Sequence, residues 1–302
     1  MKTKSFIMLT FMMSLLFGLC DSCSQTDGSA ADNDSTVLRL AVLPTMECLP
    51  FYYADSTGIF DSLGVNVRLI TFKAAMDADT AFQRGYADGI VTDLVKACLW
   101  QGAGDTAHVA MVGELRMWLV TAPKARLLKA ESLKEKIIGV TRHSATDFFT
   151  DKVLSSVKLH DIDLNKPQIN NVWLRTLMVD QDQIDGAVLP EPYASEAVAR
   201  GAKRLNGTAD MGVENLMCVL FGDSLYRVRN GDIEKIREAY DKAVVAMNKD
   251  LQEDKLAYFP DEFELKMPDS LFRYVPMNVS VAYHDSMMTD VKIWAKGRNL
   301  IK

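Results

Sequence analysis

The chain has 302 residues, with 34 basic against 40 acidic side chains, a formal net charge of −6 and 48% hydrophobic residues. That length suggests two domains or lobes, and the ordinary globular composition excludes a disordered or fibrous chain. An acidic balance without a basic stripe excludes a nucleic-acid partner.

At the N-terminus, Lys2 and Lys4 precede an apolar stretch over residues 5–19. It is shorter, and more interrupted by Ser and Thr, than the roughly 20 residues of a membrane span. It reads as a signal peptide. No Ala-x-Ala cleavage site follows; the next residues are Leu19-Cys20-Asp21-Ser22-Cys23-Ser24. A small residue before a cysteine resembles a bacterial lipoprotein signal, in which the cysteine becomes the acylated N-terminus. Ser22 before Cys23 fits that pattern better than Leu19 before Cys20. Residues 1–22 are therefore expected to be the signal, with Cys23 acylated and Cys20 as the alternative. Residues 23–36 are polar and read as a flexible tether, spanning roughly 20 Å.

From residue 37 the chain alternates short apolar runs with helical stretches, the mark of βαβ units and mainly parallel sheets. Residues 37–43 form the first strand, ending at Pro44, and a helix beginning near Pro50 stops at Gly58. Residues 65–72 are the second strand. Asp77 or Asp79 is expected to cap a helix through Phe82, and Asp88-Gly89-Ile90-Val91 opens a third strand. The pattern then recurs: a strand over 136–140, a polar turn over 141–146, a helix over 147–156, a strand near 172–174, and Asp185-Gly186-Ala187-Val188. Leu43 to Asp88 and Val140 to Asp185 both span 45 positions. Glycine after each Asp is expected to serve a tight turn with φ > 0. The repeat implies two similar α/β lobes with their strand ends facing each other. Residues 109–122 are expected to cross between lobes, and residues 215–221 to cross back. Lobe one then comprises residues 37–115 and 219–302, and lobe two residues 116–218. A helix over 233–250, with Ile236, Ala239, Tyr240, Ala243, Val244 and Met247 at helical spacing, is expected to pack on lobe one.

Open α/β sheets bind ligands at the carboxyl ends of their strands. In lobe one that rule selects Pro44, Thr45, Met46 and Glu47, then Thr92 and Asp93. In lobe two it selects Thr141, His143, Ser144, Ala145 and Thr146, then Pro190, Glu191 and Tyr193. The turn at 143–146 precedes a helix, so its N–H groups are expected to lack intrahelical partners and to receive an anionic or acceptor group. A plain N-cap by Ser144 or Thr146 is the alternative. Glu47, Asp93 and Glu191 favour a ligand with N–H donors. No nucleophile elbow, phosphate loop or metalloprotease motif is present, and His108, His160 and His284 are isolated. No catalytic residue, metal or cofactor is expected. Cys48, Cys98 and Cys218 lack metal spacing and read as buried thiols, with one disulfide as the alternative.

Taken together, Leu49-Pro-Phe-Tyr-Tyr-Ala54 with Gly58-Ile-Phe60, Gly85-Tyr-Ala-Asp88, Ile138-Gly-Val-Thr141 with Ser144-Ala-Thr-Asp-Phe148, and Ile184-Asp-Gly-Ala-Val-Leu-Pro-Glu191-Pro-Tyr193 resemble type II periplasmic solute-binding proteins of ABC transporters. The branch is that of nitrate, sulfonate, taurine and thiamine-pyrimidine-precursor binders. The resemblance implies two α/β lobes joined by a two-segment hinge and closing on a small ligand. It implies as partners a small-molecule ligand and the permease and ATPase subunits of an importer. With the lipoprotein signal, it implies a cell-envelope protein anchored by its N-terminal lipid. An enzyme on the same fold, like a menaquinone-pathway dehydratase or a pyrimidine-precursor synthase, is the alternative, as is a lipoprotein of this fold without transport function. Arg142-His143 and Met46-Glu47-Cys48 depart from the turns common in that family.

Overall fold

The computed structural model describes residues 36–252, 254–260 and 272–302. The signal, Cys20, Cys23 and nearly all of the tether lie outside them. Met1–Thr36 and Val37–Lys302 are separate units, and the fold is that of the second.

Two sheets organise it. The first has the strand order β2-β1-β3-β9-β4, built from β1 (Leu38–Val42), β2 (Val67–Thr71), β3 (Gly89–Asp93), β4 (Ala107–Gly113) and β9 (Met217–Gly222). The second is β6-β7-β5-β8, from β5 (Met117–Thr121), β6 (Ile138–Gly139), β7 (Gly186–Pro190) and β8 (Lys203–Gly207). Helices α1 (Leu49–Ser56), α2 (Ile59–Ser62), α3 (Ala75–Gln83) and α4 (Leu94–Gly102) follow the early strands. Helices α5 (Ala145–Ser156), α6 (Val172–Asp180) and α7 (Tyr193–Ala199) belong with the second sheet. Helix α8 (Asp223–Lys249) buries Ile236, Ala239, Tyr240, Ala243, Val244 and Met247 and packs on α1 and β4, as its spacing predicts. Helix α9 (Thr289–Gly297) closes the chain against α4.

The repeated Asp-Gly pairs have a physical explanation, and it is not a turn. Asp88 Oδ2 accepts from the Arg39 backbone N–H at 2.8 Å, and Asp185 Oδ2 accepts from the Ile137 backbone N–H at 2.9 Å. Each aspartate thus ties the neighbouring parallel strand to its own. Neither glycine has a positive φ. Instead a Cβ on Gly89 would lie 2.4 Å from the Phe221 ring, and one on Gly186 would lie 2.4 Å from the Val120 carbonyl oxygen. Glycine lets the antiparallel crossing strand approach.

Each sheet is mainly parallel, as expected, with one crossing strand running against the others. β1 pairs parallel with β2 and β3, and β6 with β7, but β9 and β5 insert antiparallel because they arrive from the opposite sheet. The expected strand at 172–174 is the first turn of α6, capped by Asn171, whose side chain accepts from the Leu174 N–H at 2.9 Å. The ladder position falls instead on residues 165–169, which bridge to Ile137 and Val140; Pro167, without an N–H, keeps it from extending. Asp77 and Asp79 do not cap α3, whose N-cap is Ala74. Cys48, Cys98 and Cys218 are buried free thiols. Among the described residues, no helix is long and apolar enough to cross a membrane.

Candidate functional site

The carboxyl ends of β1 and β3 face the turn before α5 across a cleft of about 80 Å³. Thr45, Glu47, Thr92 and Asp93 line it from the first sheet, and Thr141, Ser144, Ala145, Thr146 and Pro190 from the second. The strand-end rule thus brings most of the predicted residues together. Five stand elsewhere, among them Met46, which lines a different cavity. Pro44 is buried without lining the cleft. His143 is exposed, with φ of 57°. Tyr193 lies in the core of the second lobe with Val120, Ile184 and Leu189. Glu191 faces a different cavity, paired with Arg204 at 2.5 Å.

The turn before α5 differs from its expectation in one respect: two of its N–H donors are already used. Ser144 Oγ accepts from the Thr146 N–H at 3.2 Å, as an N-cap does, and Asp147 accepts from the His143 N–H at 3.0 Å. Across the cleft, the Ala145 N–H helps to hold down the pKa of the Asp93 carboxylate. Asp93 also caps α4, accepting from Val95 and Lys96 N–H at 3.0 Å each. That carboxylate therefore caps one helix and faces the start of another across the cleft, where positive dipole ends favour negative charge. Burial raises the Asp93 pKa, and Lys96 and these N–H donors oppose the rise. Asp79 is raised by burial too and pairs with Lys96.

Two buried groups in the cleft wall are left incompletely satisfied. Arg175, on α6, is 3% exposed; its Nη1 donates to Thr141 Oγ1 at 3.1 Å and the Ile169 carbonyl at 2.9 Å, while Nε has no partner. No carboxylate pairs with it among the described residues. Burial brings its pKa down to about 10, so it stays cationic at neutral pH. Glu47 accepts from Thr45 Oγ1 at 2.6 Å through Oε1, and its Oε2 has no partner. Arg175 was missed because residues 172–174 read as a strand. The signal was Asn171 as an N-cap ahead of Val172, Arg175, Thr176 and Val179, which are buried at helical spacing. Lys73, Asp79, Lys96 and Asn170 also line the cleft without having been expected there.

Burial pushes the Glu47 carboxyl up to about 7, against the lowering effect of Thr45. Its ordinary value is 4.5. Between those values the folded chain holds a proton that the unfolded chain releases, so stability falls as pH climbs through the window. Glu47→Gln is expected to change little below it and to stabilise the fold above it by on the order of 3 kcal/mol. Urea unfolding on both sides of the window checks this; equal stabilities on the alkaline side contradict it.

No family model matches this chain. It is 22% identical over 275 residues to a protein of Brachyspira hyodysenteriae described as an ABC transporter periplasmic binding protein, covering 82% of this chain and 75% of that one. Among solved structures, the alkanesulfonate-binding protein SsuA from Xanthomonas axonopodis pv. citri, bound to MOPS, superposes with a TM-score of 0.74 at 14% identity, covering 88% of this chain and 94% of that chain. The chain has the periplasmic solute-binding fold. The same fold carries a desulfurization enzyme, DSZB, with a TM-score of 0.61 at 14% identity over 88% of this chain and 93% of that one. In the solute-binding fold the two sheets face each other across a cleft, which is where Arg175 and Glu47 stand here. The fold expectation drawn from the sequence motifs holds.

Proposed function

We propose that the chain is the extracytoplasmic solute-binding component of an ABC importer and captures a small organic or inorganic anion between its lobes. The single observation that carries the anionic class is Arg175, a buried guanidinium facing the cleft with no carboxylate partner among the described residues and one N–H left without a partner there. Burying such a charge is costly unless something pairs with it. An acidic head group supplies the pairing, and a planar guanidinium suits oxyanions. Thr141, Ser144 and Thr146 stand beside it, and Asp93 sits where a second anion would otherwise meet the α5 N-terminus. The lobes are residues 37–115 with 219–302, and residues 116–218. The Brachyspira relative and the alkanesulfonate-binding neighbour support the transport reading.

Thr45, Glu47, Thr92, Asp93, Ser144, Ala145 and Thr146 form the rest of the binding wall, with Glu47 offering an acceptor to a ligand N–H or O–H. Titration of the purified chain with nitrate, sulfate, methanesulfonate and an aminosulfonate tests the reading. An anion must bind saturably and be recovered unchanged.

An enzymatic reading has one observation in its favour: Glu47, near 7, is poised for proton transfer. Consumption of the bound anion, seen by mass spectrometry of the same mixture, would favour it.

Membrane attachment is the second part of the proposal, carried by Ser22-Cys23 after the apolar stretch. Cys23→Ala is expected to lose incorporated palmitate and the lipid mass. Label that survives in Cys23→Ala and vanishes in Cys20→Ala would move the anchor to Cys20.

A further inference from the structure

Behind the cleft lies a second and much larger cavity, of about 770 Å³. It is bounded by the crossing segment at Glu114, Arg116 and Trp118, by α7 at Ser195 and Val198, and by Val275 and Met277. Glu47 and Met117 line both cavities, so the two share part of one wall, which the Met46 N–H braces by donating to the Glu191 carbonyl at 2.9 Å. The charged groups around this second cavity are largely paired with one another. Arg116 holds Glu114 at 2.7 Å and the Val275 carbonyl at 2.9 Å. Arg204 holds Glu191 and Ser195 Oγ, with its guanidinium 4.7 Å from the Trp118 ring centroid. What remains facing inward is chiefly apolar: Met46, Met117, Trp118, Val198 and Met277. To this Glu47 adds an unpartnered, nine-tenths-buried carboxylate oxygen in the dividing wall.

The two volumes decide what this arrangement fits. Ligand sites that enclose an organic molecule run to about 300–1,000 Å³. The cleft at Arg175 has room for a head group and no more. The hinge cavity has room for the remainder and shares Glu47 and Met117 with it. We propose that the hinge cavity is a tail subsite: the solute is an organic anion whose acidic head pairs with Arg175 and whose apolar chain passes Glu47 and Met117 to lie against Trp118, Val198 and Met277. This rests on the anion-binding reading above. In this arrangement Glu47 and Met117 set specificity, since they must part for a long chain and stay in place for a short one. Trp118, held by Arg204, gives the chain a flat apolar wall.

The test is a titration of the full chain with a homologous series of alkane-1-sulfonates, from methanesulfonate to octanesulfonate. Full burial of a methylene strengthens binding by roughly fourfold, so affinity is expected to climb steadily with chain length. Ala199→Trp, at the exposed end of α7 on the rim of this cavity, fills the tail subsite. It is expected to erase the climb while leaving methanesulfonate affinity within about twofold of the parent. Ala209→Trp, also exposed on the rim of this cavity, serves the same purpose if Ala199→Trp unfolds. Methanesulfonate binding without any gain along the series overturns the tail subsite and leaves the anion reading standing. A climb that persists in both tryptophan variants also overturns it, because the chain then lies elsewhere. If no member binds, the anion reading falls and the subsite with it.

Discussion

Lys166→Met is expected to lower the stability of the fold by about 3–5 kcal/mol, the range for removing one partner from a buried ion pair. Lys166 is 7% exposed, and its ammonium lies 2.6 Å from Asp147 and 2.6 Å from Asp151, with Asp161 also paired to it. Asp147 is fully buried, and its remaining cation, Arg298, is 3.7 Å away. Without the lysine, Asp147 is left charged in the interior with little compensation. Burial works to lower the Lys166 pKa, but Asp147 and the hydrogen-bonded carboxylates outweigh it and the value is raised above 10.5. Its stabilisation is therefore complete at neutral pH and is lost only as pH rises through the folded-state value. Urea unfolding at neutral pH measures the effect. A loss below about 1 kcal/mol, the range of exposed ion pairs, would show that the cluster is not the clamp its geometry implies. The cluster also reaches α9: Trp294 Nε1 donates to Asp151 at 2.8 Å and Arg298 pairs with it at 2.5 Å. Asp151, which also pairs with Lys166, thus ties α5, the helix behind the cleft turn, to the C-terminal helix.

Arg175→Met is expected to weaken binding of the cognate anion roughly tenfold to a hundredfold. A hydrogen bond to a charged group is worth about 1.5–3 kcal/mol, and tenfold is about 1.4 kcal/mol. Methionine keeps the apolar stem that packs beside Gly139, whose missing Cβ would sit 3.2 Å from the arginine side chain. Stability is expected to hold or rise, because the substitution removes a buried cation that no carboxylate neutralises among the described residues. The two quantities move in opposite directions only if the arginine is there for the ligand. A purely structural arginine, holding Thr141 and the Ile169 carbonyl, would lower the melting temperature and leave affinity unchanged.

The architecture was legible in the sequence where one residue type has one physical use. The duplicated Asp-Gly pairs located β3 and β7 and aligned the two halves, although the glycines serve close strand approach and not a turn. The strand-end rule found Thr45, Glu47, Thr92, Asp93 and the turn at 144–146. It could not show that Asp93 stands opposite the turn at 144–146, since contacts between halves leave no local trace. Arg175 was hidden by ambiguity: Val172, Trp173 and Leu174 suit a strand as well as a helix, and only the Asn171 cap separates them. The second cavity was beyond reach of sequence reading, since it is bounded by residues as far apart as Met46 and Met277.

The most direct measurement is calorimetric titration of the full chain with the anion panel, followed by quantitative recovery of the anion. The account predicts saturable one-to-one binding of an acid, unchanged on recovery and lost in Arg175→Met. Binding that survives Arg175→Met undiminished, or an anion that disappears from the mixture, would contradict it.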